Sequence, residues 1–234
     1  MNNLSKVIAL GGRRLNEALA MHYLFGEQIE RPEYIEFNGN RYVKLDLPFT
    51  KDTVCRIKFN MTKVTGDCIM GSSPSFRFFN AAGRTYLDWG ASRNGGGRIY
   101  ETAGKTPAGK THYMEFGNNY VKDLYTGEII ISGEKYGDSV IYNDNPICIM
   151  GNPYQKCARG VVYSVEVIQS GKTVRSLLPD IGDEGEFGFR DSITGKFYWI
   201  IDTATASVMS LRMADETSST VYDDELEVTE DDTI

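Results

Sequence analysis

Histidine is scarce in this 234-residue chain, which has only His22 and His112. The chain also has no nucleophile elbow, so hydrolysis of the Ser–His or Cys–His kind finds no support. The four cysteines, Cys55, Cys68, Cys148 and Cys157, form no C-x-x-C pair and have no histidine beside them. The spacing of a zinc site is therefore missing, and no metal is expected. They read as reduced, structural thiols of a chain made in a cytosol. No apolar run approaches the roughly 18 residues that a membrane-crossing helix needs. The opening MNNLSKVIALGG carries too short an apolar stretch and too few flanking positive charges for a secretory signal.

Aromatic residues and glycine, by contrast, are plentiful. With 14 Tyr, 11 Phe and 24 Gly, the chain can fill a sizeable core and make many turns, as an all-β protein must. The net charge of −7 is unevenly placed. Nine acidic residues and no Lys or Arg lie between Asp215 and Ile234, so the rest of the chain carries about +2. A nearly neutral body gives no case for nucleic acid as a partner.

Period-two alternation dominates from Glu33 onward. Tyr34–Phe37 and Tyr42–Leu47 flank a turn at Asn38-Gly39-Asn40 and read as a hairpin. Further strands are expected at 55–61, 68–70, 76–79, 86–89, 111–116, 120–123, 129–131 and 147–150. Val161, Val162, Tyr163 and their successors to Ile168 form another, Ser170-Gly171-Lys172 turns the chain, and Thr173–Leu178 returns until Pro179 closes the strand. Phe187–Asp191 and Lys196–Trp199, around Ile193-Thr194-Gly195, make a last hairpin. Short strands punctuated by Gly, Asn and Pro indicate a two-sheet sandwich.

The first 31 residues differ. Leu4, Ile8, Leu15, Leu19, His22 and Tyr23 recur at helical spacing, and Pro32 ends the run. Such a stripe needs a partner: either the domain's own sheet, or a neighbouring subunit on which Leu4, Ile8, Leu15, Leu19 and Tyr23 would act as an assembly anchor. The expected organisation is a helical anchor over 1–32, a β domain over 33–213 and an acidic extension over 214–234.

Three stretches carry candidate chemistry. Gly104–Thr111, GKTPAGKT, satisfies the phosphate-loop pattern G-x-x-x-x-G-K-[ST]. That loop works between a buried strand and a helix, yet an alternating strand follows, so it reads as a loop in a sheet protein. A glycosidase would need two carboxylates on one strand face, and no E-x-D-x-x-E triplet falls on an expected strand. Tyr86–Gly95, YLDWGASRNG, is the best recognition candidate. Its Trp and Tyr rings could stack on sugars while Asp88, Arg93 and Asn94 bond hydroxyls, with Tyr100 just beyond. Asp88 and Asn94 are also suitable calcium oxygens. The plainer alternative makes Trp89 a core residue and the glycine run a long hairpin, and it carries more weight because aromatics chiefly fill cores.

The order of these strands resembles the concanavalin A-like (laminin-G-like) jelly-roll domains of tailed-phage and prophage structural proteins. Tyr34–Leu47, YIEFNGNRYVKLDL, matches their opening hairpin. Tyr120–Gly127, Ile147–Gly151, Val161–Pro179 and Gly188–Tyr198 match later segments in consistent order. The resemblance covers roughly residues 33–213 and implies an all-β jelly-roll sandwich there, to which the helical arm and the acidic extension read above are appended. It also implies a non-enzymatic virion protein, synthesised in the host cytoplasm: an accessory capsid, head-fibre or decoration, or tail-associated subunit. Other virion proteins, further copies of itself and a host-surface glycan are then its partners, with no cofactor, membrane or nucleic acid. A free carbohydrate-binding adhesin and a glycoside hydrolase on the same fold are the alternatives.

Overall fold

A computed structural model describes residues 31–63, 68–72, 76–81, 84–90, 97–101, 104–133, 145–151 and 157–203. Their strands are β1 (Ile35–Asn38), β2 (Arg41–Pro48), β3 (Val54–Met61), β4 (Cys68–Ser72), β5 (Phe76–Ala81), β6 (Arg84–Trp89), β7 (Gly97–Tyr100), β8 (Thr111–Gly117), β9 (Tyr120–Asp123), β10 (Ile129–Ser132), β11 (Pro146–Ile149), β12 (Arg159–Gln169), β13 (Lys172–Ile181), β14 (Phe187–Asp191) and β15 (Phe197–Asp202). The protein is all-β, and these strands form one large antiparallel sheet. Its order is β10-β9-β8-β3-β12-β13-β14-β15-β2-β11-β4-β5-β6-β7, with β1 paired to β12.

The sheet folds over on itself, and β15 makes the corner. Phe197–Trp199 pair with Arg190–Gly188 of β14, while Ile200–Asp202 pair with Val43–Arg41 of β2. A strand that changes partners along its length is a standard way to turn a sheet. The two halves meet face to face. Phe78 of β5 packs on Phe59 of β3 at 6.0 Å and on Phe116 of β8 at 4.9 Å, though neither strand is its sheet neighbour. Alternation explains which side chains take part: Cys55, Ile57, Phe59 and Met61 of β3 are all buried and alternate with half-buried positions.

Ser170 and Gly171 both have positive φ (49° and 73°), the two-residue turn whose twist matches the strands it joins. The expected strands all appear, with two corrections. Residues 97–100, outside every expected strand and begun by a glycine read as loop, form β7 against β6. Pro179 does not close its strand, because β13 continues to Ile181. Beyond Leu177 the registered partner of β13 is β14 alone, and β1 takes the seat along the start of β12. A prolyl nitrogen is tolerated on that open side as on an edge strand. The expected helix over the first residues and the acidic extension lie outside the described residues.

All four cysteines are buried, and none is in a disulfide. Burial raises the Cys148 thiol to about 12 and drives Cys55 and Cys68 up as well, which makes them poor nucleophiles. Among the described residues no group of His, Cys, Asp and Glu is arranged to hold a metal ion.

Candidate functional site on the outer face of β5–β7

Alternation sorts the last three strands of the sheet into an inner and an outer set. Phe76, Phe78, Leu87 and Trp89 enter the core. Arg77 and Phe79 of β5, Arg84, Tyr86 and Asp88 of β6, and Arg98 and Tyr100 of β7 have the opposite parity. Register then aligns them in two rows across the strands. One row is Phe79, Tyr86 and Tyr100; the other is Arg77, Asp88 and Arg98.

The aromatic row is a stack. Phe79 and Tyr86 lie 4.8 Å apart at 11°, and Tyr86 and Tyr100 5.3 Å apart at 29°. Guanidinium groups sit over the same rings: Arg77 over Phe79 at 4.8 Å, Arg98 over Phe79 at 5.2 Å and over Tyr86 at 5.8 Å, and Arg84 over Tyr100 at 5.7 Å. Each such cation–ring contact is worth roughly 0.5–2 kcal/mol. Tyr100, at the end of the ladder, is 50% exposed.

In the polar row, Asp88 is clamped from both sides. Arg77 donates to its Oδ2 from Nε at 2.8 Å and Nη2 at 2.5 Å. Arg98 donates to Oδ1 from Nε at 2.6 Å and to Oδ2 from Nη2 at 3.0 Å. The Asp88 hydrogen bond raises the Arg98 pKa still further, against the opposing effect of burial. Three guanidinium groups thus face one carboxylate on this surface, an excess of positive charge beside a stack of rings. Its chemistry suits a ligand with anionic groups on an apolar or hydroxylated frame.

The sequence-based site is partly assembled here. Asp88 and Tyr100 share the face, and Tyr86 joins them. Trp89 does not: it is 1% exposed and packs edge-on against Phe49 at 5.6 Å and Phe76 at 5.5 Å. It is the core residue of the plainer reading, because neighbours in a strand point to opposite sides. Asp88 is corrected too, as a direct ligand-binding or calcium residue, since both its oxygens are taken by arginines; its place here is to hold Arg77 and Arg98. Arg93 and Asn94 lie outside the described residues, as do the anchor positions Leu4, Ile8, Leu15, Leu19 and Tyr23. Sequence reasoning missed Phe79, Arg77, Arg84 and Arg98. Their signal was the Arg/aromatic alternation in FRFF, RTYLDW and RIY.

GKTPAGKT is a sheet connection. Thr106 is buried and hydrogen-bonded to Asn80 and Thr85, Gly109 N donates to Met61 O at 2.7 Å, and Thr111 starts β8 rather than a helix. His112 donates from Nε2 to Pro107 O at 2.9 Å, and burial pushes its pKa down.

Two carboxylates share one guanidinium on the other half of the sheet. Arg56 of β3 bonds Glu115 of β8 at 2.7 Å and Glu166 of β12 at 3.2 Å, and Tyr120 donates to Glu115 at 3.1 Å. A glycosidase needs one carboxyl protonated and one free to attack. Here both carboxylates are engaged by one guanidinium and Glu115 also by a tyrosine hydroxyl, so this row reads as a structural ion-pair ladder.

No protein-family model matches the chain, and no curated protein does. Among solved structures it is similar to a candidate carbohydrate binding protein from Bacteroides ovatus, at 12% identity and a TM-score of 0.46. That similarity covers 74% of this chain and 59% of the other. A likeness of this degree assigns no ligand.

Proposed function

We propose that this chain is a non-enzymatic binding module whose β5–β7 face takes an acidic glycan. One arrangement supports the reading: Phe79, Tyr86 and Tyr100 stacked across three strands, with Arg77, Arg84 and Arg98 laid over them. Uronate or sulfate groups would accept from Arg84 and Arg98, while the exposed ring of Tyr100 meets the apolar face of a sugar. The folded-over sheet and its face-to-face core support the finer description of the fold as a concanavalin A-like jelly roll.

The sequence resemblance adds a setting, a tailed-phage virion in which the chain is an accessory capsid, decoration or tail-associated subunit in several copies. Copies arrayed on a particle would convert weak single contacts into avidity for a host surface. Titration calorimetry of the full chain with a polyuronate, a sulfated oligosaccharide and a neutral glucan tests the site. Binding confined to the acidic ligands, weakened by salt and about tenfold weaker in Tyr100→Ala, is the expected outcome. Equal affinity for the neutral glucan, or none for any of the three, would overturn it.

A further inference from the structure

The cationic face is not evenly open. Phe79 is 6% exposed, whereas Tyr100 is 50% exposed. Two guanidinium groups, of Arg77 and Arg98, lie over Phe79, and Tyr86 is held between Phe79 and Tyr100. Tyr100 has a stacked ring on one side only, because β7 ends the order of the strands. A single platform is therefore left on which a ligand ring can stack.

The three arginines divide in the same way. Arg77 and Arg98 each spend Nε and Nη2, the edge that grips a planar anion with two parallel bonds, on Asp88. Arg84 spends neither. It is exposed, its guanidinium rests over Tyr100 at 5.7 Å, and its cross-strand partner on β5 is the uncharged Ala81. Among the described residues no carboxylate pairs with it. Glu101, one position past Tyr100, is buried and accepts from the Thr85 and Lys105 backbone instead.

An open guanidinium fork beside one open ring suits a single sugar that bears a carboxylate. The planar carboxylate accepts two parallel N–H bonds from the fork, while the C–H face of the sugar lies on the tyrosine. A sulfate ester spreads one charge over three tetrahedral oxygens, so it matches the planar fork less well and each oxygen accepts more weakly. We infer that Arg84 and Tyr100 form a one-unit site for a uronic-acid type of sugar, with Arg84 as the residue that determines specificity. Arg98, clamped on Asp88, adds positive charge rather than a second fork. This rests on the acidic-glycan reading and narrows it twice, to carboxylate over sulfate and to one unit over a chain.

Titration of the full chain with methyl glucuronide, its methyl ester, a glucose sulfate ester and a four-unit uronate chain tests the inference. The glucuronide should bind, its ester at least about tenfold more weakly and the sulfate severalfold more weakly. The four-unit chain should stay within about tenfold of the single sugar, since only one unit finds a platform. Arg84→Lys keeps the charge and loses the fork. It should weaken the glucuronide about tenfold and leave the sulfate within about twofold. Arg84 holds no hydrogen bond among the described residues, so the variant should keep the thermal midpoint of the unaltered chain. Equal affinity for sulfate and glucuronide, an unchanged affinity in Arg84→Lys, or a four-unit chain bound about a hundredfold tighter than one unit would each overturn the inference and leave the acidic-glycan reading standing. Silence from every acidic ligand would end both.

Discussion

The two halves of the sheet carry outward rows built from the same residue types, yet they end in opposite electrostatic states. On β3, β8 and β12, Arg56 stands between Glu115 and Glu166, so its charge is matched and overmatched by carboxylates. On β5–β7, Asp88 stands between Arg77 and Arg98, with Arg84 beyond, so arginine is in excess. Inverting which sign takes the central strand turns a self-neutralising ladder into a cationic one. Aromatic rings reinforce the difference, because on β5–β7 they form a continuous stack under the guanidinium groups. A pair census would score the two rows alike; what distinguishes them is which sign is left over.

Substitutions that break one row should show the asymmetry, and the largest effect lies beneath the cationic face. Trp89→Ala should cost about 3–5 kcal/mol in urea denaturation, as expected for emptying a core aromatic site; a loss of glycan binding at full stability would instead return Trp89 to the surface. Asp88→Asn comes next. It leaves two partly buried guanidinium groups without their shared carboxylate, at a cost of about 3 kcal/mol. The matching change on the other row, Glu166→Gln, should cost less than about 1 kcal/mol, because Arg56 keeps Glu115 and the pair is partly solvated. Equal costs for the two would erase the contrast.

The halves should also answer differently to mild acid. His112, beneath the Glu115 row and against Phe59 at 5.6 Å, has its pKa lowered by burial. The unfolded chain therefore binds a proton there that the folded one resists. Its contribution is complete above the unfolded value near 6.5 and is lost as pH falls below it. Denaturation midpoints measured between pH 7 and 5 should drop in the unaltered protein and flatten in His112→Gln. A midpoint that rises in acid would contradict the burial account. The cationic face, held by arginines, should show no comparable step in that range.

Strand positions were legible because a period of two survives in nearly every segment, even where glycine or proline intervenes. Parity was legible too: Asp88 and Trp89 are adjacent in a strand, so only one of them can face solvent. What the residues alone could not supply was register. Arg77, Asp88 and Arg98 are separated by 10 or 11 positions along the chain, and nothing local announces that they share a row. β7 was hidden by the glycines before it, and the run past Pro179 by the departure of β13 from β12, both of which depend on distant strands.

The corner strand has a consequence for biogenesis. β2 ends at Pro48, but the neighbour that joins it to the other half, β15, spans Phe197–Asp202. During vectorial synthesis β2 waits for almost the whole domain to leave the ribosome before its outer edge is filled, a separation that slows closure. Until then β2 and β14 each present an unpaired, extended backbone. A nascent chain stopped short of Phe197 would be a sticky one, prone to pair with its own kind before it can close.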